Sequence, residues 1–351
     1  MKLLFLGDLV VDDKFCLSDS IKSLFDQHDH VIANLEAPFA KNAEPMPKAG
    51  PSLRSHSSNP KKVFQWIDTV NLANNHICDY SISGLAQTTS LLRSHQVAYI
   101  GIGMRAQDCF QPLTFGRNIF VFSICEHEYG GATDSKPGTA TTDYEYILIQ
   151  QIRNFSQKGR VIVIYHGGSE VIQCPQIYLK KRFEFYRELG ASIVIGHHPH
   201  AVQGSNDNCF FSLGNFYFNN SSFKAYKNTD FALAVSYNTE TNEAVEYFTH
   251  FSGGRICMTN KFKEYQDLCS ILTDEEYEIL SDNITYQLYR NWYKNIELDK
   301  LAYVHYLRCD AHRYNLIMGN SIDAGIHSIP PLTRFKLVDT NSETPFYSKC
   351  N

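Results

Sequence analysis

Short apolar runs bounded by polar residues or glycine recur through the first two thirds of the chain. They alternate with longer stretches whose apolar positions recur every three to four residues. KLLFLG, VIANL, TVNLAN, VIVIY and SIVIG are rich in β-branched and aliphatic side chains, the pattern of buried parallel strands. Between them, LSDSIKSLFDQH has helical spacing behind a capping serine, and Asn59 followed by Pro60 predicts an N-cap and a first helical position for KKVFQWID. Further helices are predicted over 81–95, in DYEYILIQQIRNFSQKG closed by Gly159, and in PQIYLKKRFEFYRELG closed by Gly190. VAYIGIG predicts a strand, PLTFG with NIFVFSIC a hairpin, and CFFSLGNFYF and FALAVSY strands of a second sheet. Strands alternating with helices in this way predict an α/β fold.

This pattern delimits one α/β domain over residues 1–254. Beyond about residue 255 the apolar spacing becomes helical, with a capping box from Thr273 to Glu276, and predicts a helical extension over 255–325 followed by a polar tail over 326–351. Residues 37–59 lack periodicity, and a loop that long in a compact domain is usually functional or mobile. The glycine-rich segment 130–141 is predicted to be a loop over one face.

At 351 residues and 43% apolar composition, the chain can bury a large core. A net charge of −5 offers no broad basic surface, which argues against nucleic acid as the main ligand. No apolar run reaches the roughly 18 residues that span a bilayer, and MKLLFLGD is too short for a signal peptide or a membrane anchor. The ten cysteines are scattered without a C-x-x-C pair, so the expectation is reduced thiols in a cytoplasmic protein. Nothing in the pattern sets an oligomeric state.

The candidate chemistry lies where the apolar runs stop. Within a few residues of their ends stand Asp8, Glu36, Asn75 with His76, His166, and His197 with His198 and His200. Ligands of open α/β sheets bind outside the carboxyl ends of the strands, so these residues are expected to converge on one site. Oxygen and imidazole donors together suit Mn, Fe or Zn better than Ca or Mg.

The motifs G-H-H-P-H at 196–200, N-N-H at 74–76 and S-L-G-N-F at 212–216 resemble those of the CapA capsule-synthesis family of the calcineurin-like metallophosphoesterase superfamily. G-D at 7–8, N-L-E at 34–36, A-N-N-H-x-x-D at 73–79 and H-x-G-x-E at 166–170 extend the likeness, in family order, over roughly residues 1–237. The resemblance implies a four-layer α/β/β/α sandwich, metallophosphoesterase-like, with two divalent transition metals at the strand ends. It makes Asp8 a ligand of one metal, Glu36 the bridging carboxylate, and Asn75 and His166 ligands of the second. His198 and His200 fit the H-x-H pair, which leaves His197 as an extra imidazole. Asn34, Asn74, Glu170, His197 and Asn215 are candidates for supporting or substrate contacts. Glu170 could orient a ligand histidine or serve as a carboxylate at a helix N-terminus.

Two departures are visible. Position 10 is Val10 where the superfamily's D-x-H has a histidine, and the bridging carboxylate is a glutamate where an aspartate is commoner; Asp12 or Asp13 could compensate. The implied activity is hydrolysis of a phosphodiester or phosphomonoester by a water activated between two metals, in surface-polymer or capsule metabolism. His76, beside the ligand Asn75, would be the general acid, and Asp79 would hold its ring. Lys41, Lys48, Arg54, His56, Lys61 and Lys62 lie in or beside the long loop; ordinary solvated charge is the favoured reading, a cationic cover for a phosphate-containing small molecule or polymer the other. The alternative function is a non-hydrolytic capsule or poly-γ-glutamate biosynthesis protein that binds polymer or partner enzymes, and a nuclease is a third, disfavoured by charge.

Overall fold

In the computed structural model, which describes residues 1–48, 51–218, 229–260 and 276–277, alternation within single strands shows how the layers form. In the first strand, Leu3 and Phe5 join one buried cluster while Leu4 and Leu6 join another. In the strand before His166, Ile162 and Ile164 join the cluster of Leu3 and Phe5, whereas Val161, Val163 and Tyr165 join a third. Side chains two apart share a face of a strand, so two sheets press one face each against a common central core and bury the other face under helices.

The first sheet has the order β16-β15-β14-β1-β2-β3-β4. Its strands are β1 (Lys2–Val10), β2 (His30–Leu35), β3 (Thr69–Asn71), β4 (Ala98–Ile100), β14 (Phe231–Asn238), β15 (Glu243–Ser252) and β16 (Arg255–Thr259), with β13 (Asn215–Phe218) also paired to β1. The second has the order β11-β12-β10-β9-β7-β6, from β6 (Leu113–Phe115), β7 (Ile119–Cys125), β9 (Arg160–His166), β10 (Ile193–His197), β11 (Ser205–Asn206) and β12 (Cys209–Phe210). A small ribbon pairs β5 (Ile102–Gly103) with β8 (Gly138–Thr139). Helices α1 (Asp19–Phe25), α2 (Lys61–Phe64) and α3 (Ser81–Ser94) cover the first sheet, and α4 (Glu145–Ser156) and α5 (Ile177–Glu188) cover the second. The architecture is a four-layer α/β/β/α sandwich, as expected.

Several local expectations are corrected. CFFSLGNFYF and FALAVSY do not form a sheet of their own: β12 extends the second sheet beside β10, and β13 and β14 both pair with β1. The strand in VAYIGIG breaks at Gly101, whose φ of +86° turns the chain out of the first sheet and into the ribbon. The helix after Pro60 is a single turn, and the Asn59 side chain does not cap it. Asp68, expected near that helix end, instead accepts from the backbone N–H of Val31 at 2.8 Å and immediately precedes β3. The sheet also runs on past residue 254. Strand β16 pairs antiparallel with β15, so the expected start of the helical extension falls inside a hairpin. The rest of the predicted extension and the predicted tail lie outside the described residues, Glu276 and Tyr277 apart.

One glycine positions the first candidate ligand. A Cβ on Gly7 would lie 2.1 Å from the carbonyl oxygen of Gly214, so only glycine lets β1 pass β13 this closely. The pairing of β1 shifts register here on both sides, and the Asp8 N–H donates to Gly214 O at 2.8 Å. The bulge aims Asp8 into the mouth between the sheets.

Candidate metal centre

The carboxyl ends of β1, β2 and β3 in one sheet meet those of β9 and β10 in the other. Asp8 Oδ1 lies 3.0 Å from His197 Nδ1, and Asn75 Oδ1 lies 3.0 Å from His166 Nε2, so contacts cross from sheet to sheet. Two sets of donor atoms are close enough to share a cation. One is Asp8, Glu36 and His200; the other is Glu36, His166 and His198, and every member is buried. Glu36 belongs to both.

Supporting side chains fix how these donors face. Asn34 Oδ1 accepts from Asn71 Nδ2 at 2.9 Å and from Asn74 Nδ2 at 3.3 Å, which turns the Asn34 amide N–H groups toward Asp8 Oδ1, at 2.8 Å, and His166 Nδ1, at 3.3 Å. Asn74 Oδ1 accepts from the backbone N–H groups of His76 and Ile77, shaping the turn that presents Asn75. Asn215 Oδ1 lies 2.8 Å from His200 Nδ1, leaving Nε2 of that ring 3.3 Å from Glu36 Oε1. His198 and His200 have φ of +98° and +56°, a left-handed backbone that costs roughly 1–3 kcal/mol per residue and clusters at functional sites.

Electrostatics divides the imidazoles. Burial opposes charge on Asp8, but hydrogen bonds with His197 and His200 overcome it and hold its carboxyl well below the usual range. Burial drives Glu36 well above the usual range, with the charge on His200 opposing. His200 is buried too, yet the charges of Glu36 and Asp8 and its contact with Asp8 push it up to about 10. Burial, reinforced by His198, pushes His166 well below the ordinary value, and burial pushes His198 down as well.

The donors fit a cation. His198 Nε2, from the second set, is buried and has no hydrogen-bond partner among the described residues, whereas Glu36 Oε1 has only the His200 ring beside it, at 3.3 Å. Leaving such atoms unpaired is costly unless something else is bound there. Two carboxylates, three imidazoles and an amide oxygen are donor types that a divalent cation could take.

Beside the donors, His76 Nδ1 lies 2.8 Å from Asp79 Oδ2. Lys48, also buried, bonds Asp79 Oδ1 and lies 3.1 Å from His76 Nδ1. Burial, with help from the Lys48 charge, pushes His76 below the ordinary histidine range. Burial likewise lowers the Lys48 amine against the pull of Asp79.

Other expected residues fall elsewhere. Glu170 is half-buried and makes no hydrogen bond to a histidine among the described residues, and α5 begins at Ile177 with Gln176 as its cap, so neither expected role is made. Its charge does reach His198 and His200. Val10 packs on the cluster of Ala37, Leu53 and Phe218. Asp12 and Asp13 do not replace the missing histidine: Asp12 binds the Tyr217 hydroxyl, and Asp13 binds Ser58. Of the loop cations only Lys48 is at the site; Arg54 lies 4.1 Å over the Tyr80 ring.

Residues 3–220 match the family described as bacterial capsule synthesis protein PGA_cap. The chain belongs to the PGA_cap family. The matched range takes in every donor from Asp8 to His200, and Asn215 besides. Two similar relatives are the PGA biosynthesis protein CapA of Bacillus subtilis (strain 168), 25% identical over 236 residues, and the capsule biosynthesis protein CapA of Bacillus anthracis, 28% identical over 233. These matches cover 63% and 61% of this PGA_cap chain but only 60% and 55% of the two relatives, so it spans little more than half of their length. The solved structure of TT1561 of Thermus thermophilus is 9% identical, with a TM-score of 0.35 over 70% of this chain and 97% of that one. Among the described residues, no helix is long and apolar enough to cross a membrane.

Proposed function

We propose that this chain is a metal-dependent phosphoesterase serving capsule or related surface-polymer metabolism, acting on a phosphodiester or phosphomonoester. The observation that carries the reading is the sharing of Glu36 between two buried donor sets, the arrangement a two-cation centre needs. Asp8, Glu36 and His200 would hold one divalent metal, and Glu36, His166, His198 and Asn75 the other. Bound there, the metals would supply Lewis-acid polarisation of a phosphoryl group and a water acidic enough to attack at neutral pH.

The chain's own residues do the rest. Asp79 occupies Nδ1 of His76 and so leaves Nε2 as the nitrogen able to pass a proton to a leaving oxygen. With His76 lowered by burial and by Lys48, the negative charge of an arriving phosphate is what draws a proton onto Nε2. Asp79 also accepts from Leu53 N–H at 2.7 Å, and its backbone carbonyl accepts from Met46 N–H at 2.8 Å. One residue thus ties the loop around Lys48 to the ring of His76. The cysteines Cys78, Cys109, Cys125 and Cys209 are free and buried, which supports a reducing, cytoplasmic setting.

The test is metal content with turnover. Purified protein should carry about one to two transition metals per chain, lose them to a chelator, and hydrolyse bis-p-nitrophenyl phosphate or p-nitrophenyl phosphate only when loaded. Full metal with no turnover on either ester would overturn hydrolysis. That outcome would favour the second reading, a capsule or poly-γ-glutamate biosynthesis protein that binds polymer or partner enzymes, which the names of the two relatives and the missing histidine at Val10 support.

A further inference from the structure

Glu128 follows β7 of the second sheet, and Asn75 follows β3 of the first; the two side chains meet across the mouth of the sandwich. Asn75 Nδ2 donates to Glu128 Oε2 at 2.8 Å, while Asn75 Oδ1 lies 3.0 Å from His166 Nε2. A primary amide has a donor end and an acceptor end, and its partners decide which faces a site. Only the oxygen end can ligate a cation. The other Glu128 oxygen lies 4.0 Å from His198 Nε2, a buried nitrogen with no hydrogen-bond partner among the described residues. Glu128 itself stands outside the two sets of mutually close donors, and its hydrogen bond toward them runs through Asn75.

We propose that Glu128 is a positioning residue for the cation position of Glu36, His166 and His198, holding the Asn75 amide with its oxygen toward that position. This rests on the reading that the position holds a cation. Residues that orient metal ligands in this way typically change metal affinity by about 10–100-fold when removed. The role needs an acceptor at Glu128 and not necessarily a charge, and this separates it from simple electrostatic attraction. A glutamine can accept the same bond from Asn75 Nδ2; an alanine cannot.

The test titrates the full chain with Mn2+ after chelation, reading affinity by calorimetry and the bound ion by electron paramagnetic resonance. Glu128→Ala should weaken uptake at one position by about 10–100-fold, and Glu128→Gln should restore it to within about threefold of the starting chain. In an Asn75→Ala background, Glu128→Ala should cost nothing further, because the path through which it acts is gone. Unchanged affinity in Glu128→Ala, a Glu128→Gln variant as weak as Glu128→Ala, or additive losses in the double variant would each overturn the positioning role. The melting temperature of the chelated variants separates misfolding from a lost ligand, and should a variant misfold, Glu128→Gln in the Asn75→Ala background carries the same test. If the unaltered chain takes up no Mn2+, the cation reading itself is overturned, and the role of Glu128 with it.

Discussion

His198 and His200 sit two residues apart in one motif and are equally buried, yet their surroundings drive them in opposite directions. Burial wins at His198 and lowers it; at His200 the carboxylates of Asp8 and Glu36 outweigh burial and raise it to about 10. The difference lies in the neighbours. His198 faces His166, an imidazole that offers no countercharge, with Nδ1 3.2 Å from His166 Nε2. His200 is wedged between two carboxylates, 3.3 Å from each. Without a metal, one position is therefore held together by a proton on His200, while the other is an uncharged cluster with an orphaned nitrogen.

The residue common to both positions gives the largest expected effect. Glu36→Gln should weaken metal uptake at both by about 100-fold or more and abolish phosphoesterase turnover, whereas His198→Gln should empty one position and leave the other. Metal analysis after dialysis against limiting Mn2+ reads both. Loss of a single ion from Glu36→Gln would show that the two donor sets do not share their carboxylate. Next in size is His76→Ala. It should keep both ions and lose about 10²–10⁴ in kcat, the range of a general acid; if the ions leave as well, His76 belongs to the cation positions and not beside them.

The fold and the donors were legible in the sequence to different depths. Asp8, Glu36 and His166 each close an apolar run, so strand period and strand end together point to them. The partition of strands between two sheets was not legible, because VIANL and VIVIY carry the same signal whichever sheet they enter. Only the clusters show it, where Ile32 and Ile162 meet in the central core. Lys48 sits in a segment with no period, and nothing local marks a lysine that will be buried on Asp79; Glu128 follows the apolar run NIFVFSIC, which places it near the cleft, but nothing local pairs it with Asn75. Nor does a histidine announce a left-handed backbone as glycine would, so the turn through His198 and His200 had no signature. The hairpin into β16 was hidden because RICMT carries its apolar residues consecutively at 256–258, a run too short to distinguish a strand from the start of a helix.

In the metal-free protein the two histidines should also differ in what they contribute to stability. His200→Ala leaves Asp8 and Glu36 buried without their counterion and is expected to cost about 3–5 kcal/mol. His198→Ala removes an uncharged ring and should cost about 0.5–3 kcal/mol. Denaturant melts in excess chelator compare the two. Equal losses would mean that His200 carries no charge in the folded protein.

The smallest effect concerns protons, and its sign differs between the positions. His200 is raised from 6.5 to about 10, so its stabilisation of the metal-free fold is full below pH 6.5 and lost as pH rises through about 10. His166 and His198 are lowered, so the fold is favoured above pH 6.5 and loses stability as pH falls toward their folded values. Metal uptake follows the same logic, because an imidazole must be neutral to ligate. A cation entering beside Asp8 and His200 must displace the His200 proton, so its affinity should climb about tenfold per pH unit between roughly 6.5 and 10. A cation entering beside His166 and His198 finds both rings already neutral, and its affinity should be flat over that interval apart from any proton Glu36 surrenders to the first ion at either place. Mn2+ calorimetry in buffers of different ionisation enthalpy counts the protons released. The His198→Gln chain, with only the His200 position intact, should release about one more than the Asp8→Asn chain, with only the other intact. Equal release from both would erase the distinction between the two positions.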